Sequence, residues 1–311
     1  MSIASTLSGL CILAAALSAT GQLRFEGRVP PEVNSLSLAS EYTRIYHIIA
    51  PQQRPDRSVL SIVYYSKSDA TGKSVTLPEW GGGGTIGPNL IVVPVDFKPF
   101  LQQNFSQITV HELVHASLYR AYPGIALPRW FHEGLAMMLS GELSFEENTV
   151  ISKAIFFSRL MPLSSIDSVN YFGRGRADLA YSQSHIALLM LVEQYGMDVI
   201  PDCLIATRKN RNFGQGLRDA VGLTPQEFEE SVRKYIASKY RFLFFFTDSF
   251  AWWVGIAILF IIGFIVTMRR NKKRLAAMEE KERQEQETAA AAAKRIDPSG
   301  ASADTKPDSV S

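Results

Sequence analysis

Cysteine is nearly absent, with only Cys11 and Cys203 in 311 residues, which excludes a disulfide-built scaffold. No sign of charge dominates. The 32 Lys and Arg against 30 Asp and Glu leave +2, too little for the strongly basic face of a dedicated nucleic-acid binder. Charge is also sparse, 20% against 46% hydrophobic, which rules out a disordered chain. Length alone suggests about two domains, but the apolar residues are unevenly spread.

Two apolar blocks stand apart from any core. Residues 8–19 are apolar and small and too short to span a bilayer. With Ala19 and Gly21 preceding Gln22 they read as a signal peptide over residues 1–21, although its start lacks Lys and Arg. If Cys11 leaves with it, Cys203 is a lone thiol. The second block, Phe250 to Met268, carries no charge. At about 1.5 Å per residue it reaches roughly 28 Å, enough for a membrane core. Arg269, Arg270, Lys272, Lys273 and Arg274 follow, and Trp252 and Trp253 sit at the other end. That asymmetry places the C-terminal side in the cytoplasm.

The expected organisation is a signal at 1–21, one exported domain at 22–248, a single transmembrane helix at 249–268 and a solvated cytoplasmic tail at 269–311. The tail is short of large apolar residues and forms at most a short helix. The exported part holds 22 basic and 22 acidic side chains, so the excess of +2 belongs to the tail.

Within residues 22–248, helical spacing predicts a helix over 32–49, stopped by Pro51. Residues 59–65, rich in Val, Ile and Tyr, predict a strand. The glycine run from Gly81 to Gly84 lacks the Lys-Ser/Thr of a phosphate loop and reads as a mobile loop. It leads to a strand over 89–96, whose Pro94 suits an edge position. A helix over 106–122 follows, capped by Asn104 or Ser106, then one from Pro128 to Ser140 before Gly141. Further helices are predicted over 181–195, 198–209 and, from the capping box at Thr224 and Glu227, 224–239. The fold class is α+β.

The chemistry concentrates in His111-Glu112-Leu113-Val114-His115. Positions i and i+4 of a helix project from one face, so both imidazoles can meet one Zn²⁺ with Glu112 beside it. The helix carries Ile108, Val110, Leu113, Val114, Leu118 and Tyr119 around the motif, which points to burial, where unpaired polar groups would be costly. A catalytic zinc needs a third protein ligand and an open position. In the extended motif a glycine and a third histidine follow, but those places hold Leu118 and Ala121. The following helix offers Trp130-Phe131-His132-Glu133-Gly134-Leu135-Ala136.

With these motifs the chain resembles the gluzincin metallopeptidases, most closely the peptidase MA-like group. That group shares a His-Glu-Leu-x-His helix, a Trp-x-x-Glu-Gly-x-Ala helix about twenty residues on, and a Tyr-x-Gln-Ser helix ending in Tyr-Gly. This chain carries the last as Tyr181 to Ser184 running to Tyr195-Gly196, and the likeness covers roughly residues 59–240. The resemblance implies a zincin-like catalytic domain with His111, His115 and Glu133 as zinc ligands and Glu112 as general base. His132 is then a neighbour of the site or exposed. For the oxyanion, Tyr181 is the first candidate donor and His185, one turn on, the second. His47 fits no pattern.

The expected activity is a membrane-anchored zinc peptidase acting on exported or membrane-associated proteins. An edge strand at 90–95 would bind extended peptide. The aminopeptidase Gly-x-Met-Glu-Asn strand is replaced by Gly-Gly-Thr-Ile-Gly-Pro-Asn, without the glutamate that holds a substrate's amino group, so endopeptidase action is expected. The alternative is a non-catalytic peptide-binding or sensor protein with a docking tail.

Overall fold

The computed structural model describes residues 22–55, 57–66, 77, 81–96, 104–142, 145–240 and 249–296. The expected signal segment and the last fifteen residues lie outside them. The chain divides into two units, Met1–Thr247 and Asp248–Ser311.

The first unit is α+β. Strands β1 (Leu23–Gly27), β2 (Leu60–Tyr65), β3 (Gly84–Ile86) and β4 (Leu90–Pro94) form one sheet in the order β1-β2-β4-β3. The first three in that order run parallel, and β3 runs antiparallel to β4. Parallel neighbours need a crossover, and helix α1 (Ser35–Ile49) supplies it between β1 and β2. Its start is set by Asn34, whose side chain accepts from the Ser37 amide, three residues later than apolar spacing suggests.

The edge strand differs from expectation. The segment at 90–95 is internal, between β2 and β4's hairpin partner β3, and β3 is the edge. Pro94 is tolerated because β3 covers β4 only from Leu90 to Val92, leaving Pro94 paired on its β2 side alone. Gly84, expected in a mobile loop, belongs to β3.

Helix α2 (Phe105–Ala121) lies against β3, β4 and α1. Asn104 and Gln107 form a reciprocal capping box at its start. A buried bond of 2.7 Å joins the Thr109 hydroxyl to that of Tyr64 on β2. At the far end Arg120 donates to the Pro88 and Ser58 carbonyls, to Tyr42 and to Asn89. Both ends of α2 are thereby tied to the sheet.

Helix α3 (Arg129–Ser140) starts after Pro128, which cannot cap with a side chain. Asp167 supplies the missing acceptor to the Arg129 amide at 2.8 Å, from the 3₁₀ segment Leu163–Tyr171. Gly141 ends α3 at φ 72°, the left-handed conformation that glycine adopts without strain. Helix α4 (Phe145–Phe156) precedes the 3₁₀ segment. Helix α5 (Arg174–Tyr195) begins seven residues before its expected start. Helices α6 (Val199–Asn210), α7 (Phe213–Val221) and α8 (Pro225–Tyr240) complete the unit. Cys203 of α6 is fully buried, and burial pushes its thiol up to about 12, the state of an inert structural cysteine.

Two motif residues owe their identity to packing. Trp130 stacks on Phe228 of α8 at 5.2 Å and meets Phe213 of α7 edge-on. Gly134 faces α5 so closely that a Cβ there would lie 2.3 Å from the Ser184 carbonyl oxygen. Backbone cannot yield as a side chain can, so Gly134→Ala is expected to cost about 1–3 kcal/mol, read as a lower urea midpoint. An unchanged midpoint would contradict this contact.

The second unit contains α9 (Ser249–Ile296), one helix of 48 residues. Its apolar part is exposed and is long and apolar enough to cross a membrane. The helix runs on to Ile296, well into the segment expected to be a solvated tail with a short helix. Its Glu, Lys, Arg, Gln and Ala residues are strong helix formers, aided by the Arg283–Glu280 pair at 2.8 Å.

Candidate metal centre

Helix α2 presents His111 and His115 on one face, their rings 5.0 Å apart. Helix α3 brings Glu133 to both. Its Oε2 lies 3.2 Å from His111 Nε2 and 3.5 Å from His115 Nε2. One donor atom from each residue falls within 4.8 Å of the others, the one such trio among the described residues.

These spacings fit a shared cation. Tetrahedral bonds of about 2.0–2.1 Å place neighbouring donors roughly 3.3 Å apart, between the two distances from Glu133 to the imidazoles, and all three donors lie within 4.8 Å of one another. The chemistry fits as well: two imidazoles and a carboxylate, 1% exposed, form a borderline-soft set. Glu133 Oε1 is buried and accepts no hydrogen bond, though Arg129 Nε stands 2.6 Å away as an ion-pair partner outside hydrogen-bonding geometry.

Charge is arranged around this trio. Burial opposes ionisation of Glu133, but His115, Arg129 and the His111 bond together hold its carboxyl well below the usual range. Burial likewise disfavours a charged His111, yet Glu142 and Glu133 outweigh it and raise its pKa well above the ordinary value. A cation held here would compete with the proton on His111.

Further residues of the site escape a reading of the sequence. Glu142, just past Gly141, places Oε1 3.1 Å from His111 Nδ1 and so fixes which nitrogen faces Glu133. Thr85 of β3 donates to Glu112 Oε2 at 2.7 Å and lies 3.0 Å from the Glu112 carbonyl oxygen. Gly83 clears the other side, since a Cβ there would approach Glu112 Oε1 to 3.1 Å. Arg129 is another. Only the glycine run and the helix-ending Gly141 hint at these places; nothing in the sequence pairs them with α2.

Tyr181 of α5 comes close enough for the charges of Glu133, Arg129, Glu112 and Glu142 to act on its phenol. Burial first, then the Glu133 charge, push its pKa well above the usual value. His185, one turn on, is 1% exposed and outside the donor trio. His132 packs its ring 5.6 Å from His115 and 5.8 Å from Tyr119. Burial, with His115 and Arg129 adding to it, pushes its pKa down to about 3, so it is a neutral neighbour of the trio.

A histidine pair on one helix and a glutamate on the next, beside a small sheet, define a zincin-like arrangement. The chain matches the family model of the Peptidase MA superfamily over residues 50–238 and belongs to that superfamily. It is 24% identical over 138 residues to the uncharacterized protein YhcO of Bacillus subtilis (strain 168). That stretch covers 42% of this chain and 41% of YhcO, less than half of either. No solved structure is a match.

Proposed function

We propose that this protein is a membrane-anchored zinc peptidase that cuts extended segments of exported or membrane-associated proteins. The observation that carries the reading is the convergence of His111, His115 and Glu133 beside Glu112. His111, His115 and Glu133 would hold the metal, which when bound supplies Lewis acidity toward the scissile carbonyl and a more acidic water.

Glu112 is the general base. It takes a proton from the attacking water as the new C–O bond forms, and returns it to the nitrogen as the C–N bond breaks. Thr85, through its bond to Oε2, keeps the Glu112 carboxylate from swinging away. Substrate adds to β3, the last strand of the sheet among the described residues, with main-chain bonds holding it beside Glu112. The absence of an amine-holding glutamate from the Gly83-Gly84-Thr85-Ile86 stretch supports endopeptidase action.

The test is cleavage of a peptide library by the detergent-solubilised full chain. Activity is expected to vanish on chelation and return with added zinc. Cleavage indifferent to chelation would sink the metallopeptidase reading.

The reading also puts residues 22–248 outside the cytoplasm and residues 269–311 inside, on the strength of the basic cluster after the apolar segment of α9. Protease added to intact cells should leave the tail undigested. Digestion of the tail would reverse the topology.

A further inference from the structure

Among the described groups around the trio, Arg129 is the one cation whose bonding is unfinished. It stands one turn before Glu133 on α3, 34% exposed in its side chain. Its guanidinium forms an ion pair through Nε, 2.6 Å from Glu133 Oε1 but outside hydrogen-bonding geometry. Its two terminal nitrogens make no hydrogen bond or ion pair with the described residues. Its amide is separately fixed by Asp167, so the start of α3 does not depend on the side chain.

The guanidinium also lies within electrostatic reach of the Glu112 carboxylate and of the Tyr181 and Tyr119 phenols, in addition to Glu133. These residues come from three helices. Arg129 is thus a fork with up to four terminal N–H donors left over, against Glu133 of the trio and within electrostatic reach of Glu112 and Tyr181.

Such donors have one evident use in an acyl-transfer site, namely an oxygen that gains negative charge. We propose that Arg129 is a catalytic residue whose terminal nitrogens bond the scissile carbonyl oxygen as it becomes an oxyanion, with Tyr181 beside it. Neither the histidine motif nor the glutamate motif assigns this role. The assignment rests on the peptidase reading and deepens it. Glu133 serves two partners here, turning Oε2 to the imidazoles and Oε1 to the guanidinium. It therefore aims Arg129 in the same motion by which it completes the trio.

The experiment compares the full-length wild type with Arg129→Gln and Arg129→Lys in detergent. Metal content, kinetics on amide-capped peptides and calorimetric affinity for a phosphonate peptide analogue are measured together. For Arg129→Gln, kcat is expected to fall about 100-fold or more, with KM little changed and metal content equal to the wild type. Affinity for the tetrahedral phosphonate should fall in parallel with kcat, and Arg129→Lys should recover part of both.

Loss of metal from Arg129→Gln would reduce Arg129 to a support of Glu133 and overturn the proposal. A defect confined to peptides with a free C-terminal carboxylate would make it a carboxylate reader, which also overturns it. Unchanged kcat and phosphonate affinity in an active, metal-loaded variant would do the same. A wild type that binds no metal and cuts nothing would instead remove the peptidase reading itself.

Discussion

Glu112→Gln is expected to abolish peptide cleavage while leaving the fold and the bound metal in place. The amide matches the carboxylate in shape and can still accept from Thr85 through its oxygen, a contact of 2.7 Å in the native chain. What it cannot do is carry a proton from the attacking water to the leaving amine. General acid–base transfer contributes roughly 10²–10⁴-fold, so turnover should fall by about 10³-fold or more. Glu112 is not one of the three donors, and metal content should equal the wild type. The same variant separates the peptidase from a peptide-binding or sensor protein on this fold. A binding protein would lose nothing by the substitution, so undiminished function in the variant contradicts the catalytic assignment.

The second large effect concerns the donor trio. His115→Ala and Glu133→Ala each remove one of three donors, and both should purify without metal and without activity. The two should differ in stability. Removal of the His115 ring leaves a gap beside His132. Removal of Glu133 leaves His111 and Arg129 without the carboxylate each faces at 3.2 and 2.6 Å. Breaking a buried pair by deleting one partner is costly, about 3–5 kcal/mol for a fully buried charge. Arg129 is one-third exposed, so a smaller loss, on the order of 1–3 kcal/mol, is expected for Glu133→Ala in the metal-free state. Glu142→Gln keeps all three donors and only weakens the orientation of His111. Its metal affinity should fall by about 10–100-fold, and an intact site at saturating zinc distinguishes it from the donor variants.

The parts of this site that can be read from the chain are those in which local geometry and chemistry coincide. His111 and His115 share a face because four residues separate them on an uninterrupted helix. Glu133 is reachable because Pro128 and Gly141 bracket a short helix around the Trp130–Ala136 pattern. Thr85 and Glu142 are not. Each meets α2 only because the sheet and the turn after α3 bring it there, and nothing in the sequence pairs either with α2.

The fold shows the same division. The helix starts capped by Asn104 and Thr224 fall within a residue of their expected places, whereas the Asn34 cap starts α1 three residues late. The three-residue β3 is too short to show alternation and merges with the glycine run. β1 mixes Arg24 and Glu26 with Leu23 and Phe25 directly after the expected signal boundary. Pro94 points to an edge because a proline cannot donate to a ladder, but the short β3 ends before reaching it.

The central claim is that His111, His115 and Glu133 hold one metal ion in this chain. It is tested most directly by measuring the metal content of the purified full-length protein together with its His115→Ala variant, both checked for folding. About one zinc per wild-type chain and none in the variant is the predicted result. A well-folded wild type that stays metal-free in the presence of zinc would contradict the account.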